Sequence, residues 1–216
     1  NLHVGNAVST VMTPVAPAHA CPAPWTCADI GNPAPTGDTT TSSGALVLAG
    51  TGTGFARGPL PTTNNDSFHF VYQNVSGNHS LSARVSTSTA TSTAQSGVMM
   101  RASTAPSAPV YAAYLTAGGS VTVEWRPFDG ILFRYPSSVP GVKSPAYLKV
   151  TRTTQASPAA TIFTAYTSAN GTTWTKVPAS AVAINMGSGS YLAGLAATSA
   201  SSTATTASTF GSVKLS

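Results

Sequence analysis

The chain has 216 residues, a formal net charge of +5 and only 7% Asp, Glu, Lys and Arg, against ~25% in an ordinary globular domain. That length suits one large all-β domain, or a domain with an appended segment, and no apolar run approaches the ~18–20 residues of a membrane-spanning helix. The ten basic residues are spread singly from Arg57 to Lys214, so no basic cluster is visible and the sequence argues against nucleic acid as a partner.

The chain opens with an alternation. Leu2, Val4, Val8 and Met12 fall on one face, and His3, Gly5, Ala7 and Ser9 on the other, which is the period of a strand. Pro14, Pro17, Pro22 and Pro24 then make residues 13–24 an extended connector. Ala18-His-Ala20 has the form of a signal-peptidase site, but the residues before it lack a basic start and an unbroken apolar stretch, so residues 1–20 are read as mature chain. The spacing of Cys21 and Cys27 is wrong for a CxxC metal or redox motif. A short disulfide pinning the Pro-rich loop is the better assignment, and it implies an oxidising compartment.

From Trp25 onward, short apolar runs recur between turn-forming residues. Gly44–Gly50, Phe68–Gln73, His79–Ser86, Ser96–Ala102, Val110–Thr116 and Ser120–Pro127 are candidate strands. Gly130–Tyr135, Tyr147–Thr153, Thr161–Tyr166, Thr172–Pro178, Tyr191–Thr198 and Ala207–Leu215 follow. Asn170-Gly171 is the strongest turn signal, because both residues tolerate the positive φ of a two-residue type I′ turn. It predicts a hairpin with Tyr166 on one arm and Trp174 on the other. No stretch carries a useful helical period. Many short strands at regular spacing predict an all-β fold, a two-sheet antiparallel jelly-roll sandwich.

Chemistry-bearing residues are few. The acids are Asp29, Asp38, Asp66, Glu124 and Asp129, and the histidines are His3, His19, His69 and His79. A pair of carboxyls ~5 Å apart, as retaining glycosidases need, has no source on one strand; Glu124 and Asp129 flank a single turn, where ion pairing with Arg126 or Arg134 is the simpler role. His69, between Phe68 and Phe70, is expected on a polar sheet face. Gly50-Thr-Gly-Thr-Gly54 lacks the Lys and following helix of a phosphate cradle. The sequence therefore offers no catalytic residues.

Trp25-Thr-Cys-Ala-Asp-Ile-Gly31, Asp66-Ser-Phe-His-Phe-Val-Tyr72, Ser80-Leu-Ser-Ala-Arg-Val85 and Ser96-Gly-Val-Met-Met-Arg101 occur in that order. With Tyr166 to Trp174, Tyr191 to Thr198 and Thr209-Phe-Gly-Ser-Val213, they resemble the secreted concanavalin A-like jelly-roll domains of bacteria, of the laminin G and glucanase type. The resemblance spans residues 25–216 and sets them apart as a domain from the segment 1–24. It implies a non-catalytic extracellular module with a structural or adhesive role, often associated with polysaccharide at the bacterial cell surface. The usual ligand site of such domains, a concave sheet face, would fall here on Arg101, Tyr114, Glu124, Arg126 and Arg134, all opposite in phase to core residues. Calcium is common in the wider superfamily; with so few acids, a cage here would lean on backbone carbonyls.

A second expectation comes from the N-terminus. Leu2, Val4, Val8 and Met12 on a Pro-rich tether have the form of a strand donated to a neighbouring copy, which would make the protein a self-assembling filament or surface-layer subunit.

Overall fold

The computed structural model describes residues 19–55, 66–87, 92–128, 133–157, 159–187 and 189–216. Leu2, Val4, Val8 and Met12, and with them the expected donated strand, lie outside the described residues. The described chain is all β: β1 Thr26–Ile30, β2 Asp38–Ser42, β3 Ala45–Gly52, β4 Phe68–Val75, β5 His79–Thr87, β6 Gln95–Arg101, β7 Val110–Thr116 and β8 Ser120–Arg126 are followed by β9 Phe133–Pro140, β10 Ala146–Ala156, β11 Ala159–Ser168, β12 Thr175–Lys176, β13 Val182–Ala183, β14 Tyr191–Thr198 and β15 Ser201–Leu215.

Two antiparallel sheets form. The first has the order β1-β4-β14-β6-β7-β8-β9, and the second β12-β11-β10-β5-β15-β3-β2, with β13 also paired to β11. Alternation sets what lies between them. Leu81, Ala83 and Val85 of β5, Leu148 and Val150 of β10, Phe163 and Ala165 of β11 and Phe210 of β15 pack against Val98, Met100, Tyr111, Ala113, Val121, Val123 and Leu195 of the first sheet. Cys21 and Cys27 form the expected disulfide, and both pack against this core. The bond ties the end of the Pro-rich connector to β1.

Two expectations need correction, and one strand was not expected. The strand expected over Gly130–Tyr135, whose first residues lie outside the described ones, continues past Tyr135 to Pro140; it is an edge strand, and an edge tolerates prolines because one row of its N–H groups faces away from the ladder. β2, Asp-Thr-Thr-Thr-Ser, carries no apolar signal and is the opposite edge of the other sheet. The Asn170-Gly171 turn is wider than two residues, since the pairing closes at Thr167↔Thr175. Its turn comes from a side chain: Asn170 Oδ1 accepts the backbone N–H groups of Thr172 and Thr173, each at 2.9 Å, and Ser168 Oγ accepts those of Asn170 and Gly171. Of the pair, only Gly171 has positive φ, at 75°.

Candidate functional site

The sheet face expected to meet glycan is closed. The face of the first sheet turned away from the second sheet holds a second apolar cluster: Ile30, Phe68, Phe70, Met99, Val110, Ala112, Tyr114, Leu192 and Ala196, with the Phe55 ring edge-on to Phe68 at 4.9 Å and tilted against Tyr114 at 5.0 Å. Gly97 lets the β7 backbone at Tyr114 approach this closely, because a Cβ at Gly97 would sit 2.1 Å from the Ala113 carbonyl oxygen and 2.7 Å from Tyr114 Cβ. β6, β7 and β14 are thus buried on both faces, consistent with their near-continuous apolar and small residues.

Arg101 and Arg126 are inside this layer rather than on an open surface. Their Cα atoms lie on either side of Val110 in register, so both guanidinium groups reach the same carboxylate. Arg126 Nη2 donates to Asp66 Oδ1 at 2.6 Å, its Nη1 donates to Oδ2 at 3.1 Å, and Arg101 Nη1 donates to Oδ2 at 3.0 Å. Carbonyls of the 103–108 loop take further protons: Arg101 donates to Ser103 and Ala105, and Arg126 to Pro106 and Ala108, while the buried Arg126 Nε–H has no partner among the described residues. Burial pulls the Arg101 guanidinium below its ordinary pKa, Asp66 pushes it back up, and Arg126 works against it. Guanidinium groups buried this deeply around one shared carboxylate are a structural brace. Arg101, Tyr114 and Arg126 are therefore corrected from contact residues to packed ones. Glu124 is half-buried beside them, and the Arg134 side chain lies outside the described residues.

His69 also turns inward, not to a polar face. Nδ1 bonds to Asp29 Oδ1 at 2.7 Å and Nε2 meets Thr39 Oγ1 at 2.7 Å, while both Asp29 oxygens accept the Gly37 N–H. Hydroxyl, imidazole and carboxylate in this order have the connectivity of a nucleophile, its base and an orienting acid. However, Thr39 is 2% and His69 1% exposed, so the hydroxyl is shut off from substrate. The chain of bonds joins β2 of the second sheet to β1 and β4 of the first. Among the described residues, no group of three or more His, Cys, Asp or Glu could hold a metal ion.

The open chemistry lies on the outer face of the second sheet. The register places Tyr147, Lys149 and Thr151 of β10 outward, opposite the core residues Leu148 and Val150. Lys149 pairs with Tyr166 on one side and Ser82 on the other; Tyr166 in turn pairs with Lys176, and Ser82 with Lys214. One row across five strands thus reads Lys176, Tyr166, Lys149, Ser82, Lys214, with Arg84 opposite Tyr147 in the neighbouring row. Lys149 Nζ stands 4.7 Å from the Tyr166 ring centre and 4.3 Å from that of Trp174. Burial between these rings pulls its ammonium pKa below the ordinary lysine value. Tyr147, Tyr166 and Trp174 are all half-buried, so each combines a fixed position with a partly open ring.

The 168–174 loop holds this platform in place. It brings Trp174 over Lys149, and Gly171 lies against Tyr147, where a Cβ would meet the ring at 2.6 Å. Its other side lines a cavity of about 470 Å³ with Ser168, Asn170 and Thr173, opposite Lys143. A second cavity, of about 500 Å³, lies elsewhere, beside Phe128; that ring is 56% exposed, with Gln155 and Asn185 nearby. The sequence pointed to Tyr166 and Trp174 only as hairpin arms. The signal that would have found the platform is the outward phase of Tyr147 and Lys149 on the preceding strand.

No protein-family model and no curated protein matches this chain. Its fold is similar to that of solved structures. A mutant of the GH43 protein BlXynB from Bacillus licheniformis is similar over 80% of this chain, with 17% identity and a TM-score of 0.59. The chain spans about a third of that protein, 32% of its length. A legume lectin-like domain from Entamoeba histolytica is similar over 89% of each chain, at 10% identity and a TM-score of 0.51. The cellulose induced protein Cip1 is similar over 89% of this chain and 90% of its own, at 11% identity and a TM-score of 0.51. At these identities the likeness is one of fold: an all-β, two-sheet antiparallel sandwich.

Proposed function

We propose that the chain is a non-catalytic extracellular module that binds glycan on the outer face of its second sheet, at Tyr147, Tyr166 and Trp174. One observation carries this: three half-buried aromatic rings share one sheet face, Tyr166 and Trp174 about Lys149 and Tyr147 against Gly171, with hydroxyl groups near them. Pyranose rings present C–H faces that stack on such rings while their hydroxyls take hydrogen bonds at the edge. Ser82 and Thr172 supply that edge. The lectin-like domain and Cip1 among the structures of similar fold support a carbohydrate role. The Cys21–Cys27 disulfide supports a secreted location, which we place at the bacterial cell surface. The closed Thr39 hydroxyl supports a binding role over a hydrolytic one.

Affinity electrophoresis in gels cast with xylan, β-glucan or polygalacturonate tests this. At least one polymer is expected to retard the chain, and Trp174→Ala with Tyr166→Ala is expected to abolish the retardation while Phe128→Ala keeps it. Retardation lost in Phe128→Ala and kept in the double variant would move the site to the Phe128 cavity. No retardation in any gel would overturn glycan binding.

A further inference from the structure

Building on the outer-face glycan site proposed above, we infer that the polymer it takes is acidic: a polysaccharide whose sugars carry carboxylates, laid across the strands along the Lys176–Lys149–Lys214 row.

Charge complementarity carries the inference. Arg84, Lys149, Lys176 and Lys214 share one face of one sheet, although they are scattered along the sequence. None of the four has an acidic partner among the described residues, and strands β12, β11, β10, β5 and β15 contain no Asp or Glu. The four described acids are elsewhere: Asp29 and Asp66 are engaged in the bonds given above, Glu124 belongs to the first sheet, and Asp38 is on the far edge strand β2, bonded to His19. In a chain with so few charges, four cations on the acid-free part of one face, from β12 across to β15, make a positive field directed at a single surface.

The spacing selects the kind of polyanion. Neighbouring strands lie ~4.8 Å apart, so lysines on alternate strands stand ~9–10 Å apart and the row spans ~19 Å. Each cation therefore addresses a separate anionic group. A nucleic-acid strand carries a phosphate every ~3.4 Å along the duplex axis, and most of its charges would go unmatched on this row. A densely sulfated chain meets the same mismatch. A glycan with one carboxylate per sugar or per repeat carries its charges more sparsely, and it also offers sugar faces to Tyr166 and Trp174 between them. Lys149 then has two roles: its ammonium is held by both rings, and a carboxylate at that point completes its solvation.

The test uses the full chain with polygalacturonate, neutral xylan, dextran sulfate and oligo-dT as probes, each titrated by calorimetry at low and high salt, with near-UV dichroism as the check on folding. Polygalacturonate is expected to bind tightest and to weaken as salt rises. A Lys149→Gln, Lys214→Gln variant is expected to bind it about tenfold more weakly, since exposed charge pairs contribute up to ~1 kcal/mol each and ~1.4 kcal/mol is tenfold. Equal, salt-independent binding of xylan and polygalacturonate would overturn the acidic preference and leave the glycan site standing. Tightest binding of dextran sulfate or of oligo-dT would overturn the carboxylate assignment. Binding of none of the four by a folded chain would overturn both the preference and the site.

Discussion

Lys149 Nζ lies 4.3 Å from the centre of the Trp174 ring, with Tyr166 4.7 Å away on the other side. The two rings hold the ammonium and partly dry it, so its pKa falls below the ordinary value. Trp174→Ala returns water to the site, and the Lys149 titration, followed by NMR on the lysine side chain, is expected to move up. A bound carboxylate also moves it up. A group whose pKa is higher in the bound state favours binding below its free value and loses that contribution as pH rises through the bound value. Binding of polygalacturonate is therefore expected to weaken in the alkaline range, and Lys149→Gln is expected to flatten that dependence.

Asp66 braces two arginines, and removing it leaves both buried without their shared partner. Asp66→Ala is expected to cost about 3–5 kcal/mol of stability in urea unfolding, the range for breaking a buried ion pair from one side. Lys214→Gln, on an exposed site, is expected to change stability by less than ~0.5 kcal/mol. Comparable losses in the two variants would contradict the brace.

Gly171 and Gly44 separate backbone strain from packing. Both have positive φ, 75° and 77°, but a Cβ at Gly44 meets nothing within 4 Å while one at Gly171 meets the Tyr147 ring at 2.6 Å. Gly44→Ala is expected to cost about 1–2 kcal/mol, the left-handed penalty alone. Gly171→Ala is expected to cost about 2–4 kcal/mol, adding the cost of overpacking, and to reduce glycan retardation by displacing Tyr147.

Asp38 offers a check in acid. Burial alone would raise its pKa, but the hydrogen bond from His19, the Thr39 amide and the His19 charge outweigh it, and the net shift is below the ordinary 3.8. A carboxylate depressed in the folded state contributes stability above its unfolded value and loses it as pH falls through the folded value. His19→Ala is expected to raise the Asp38 midpoint, seen by NMR at its carboxyl carbon, and to make acid unfolding begin at higher pH. An unchanged midpoint would contradict the pairing.

Most strands were legible because alternation and turn residues are local signals: β5, β7, β8 and β14 lie within a residue or two of where the pattern places them. β2 was not, since Asp-Thr-Thr-Thr-Ser has no apolar phase, and β9 was obscured by Pro136 and Pro140, which only an edge position accommodates. Faces were harder to read than strands. Arg101 and Arg126, out of phase with core residues, have the pattern of an open surface. They are buried because Asp66, 35 and 60 residues away in sequence, reaches both. The platform failed to show for the same reason: Tyr166 and Trp174 are neighbours in sequence, but Lys149 and Lys214 join them only through the β10-β11, β10-β5 and β5-β15 pairings.

The most direct measurement of the central claim is an NMR titration with oligogalacturonide that follows the indole N–H signals of the three tryptophans together with the backbone amides. Saturable shifts are expected at Trp174 and at the amides of Tyr147, Lys149 and Tyr166, with the amides of Phe128 and Asn185 unmoved. Shifts confined to Phe128 and its cavity, or no saturable shift at Trp174, would contradict it.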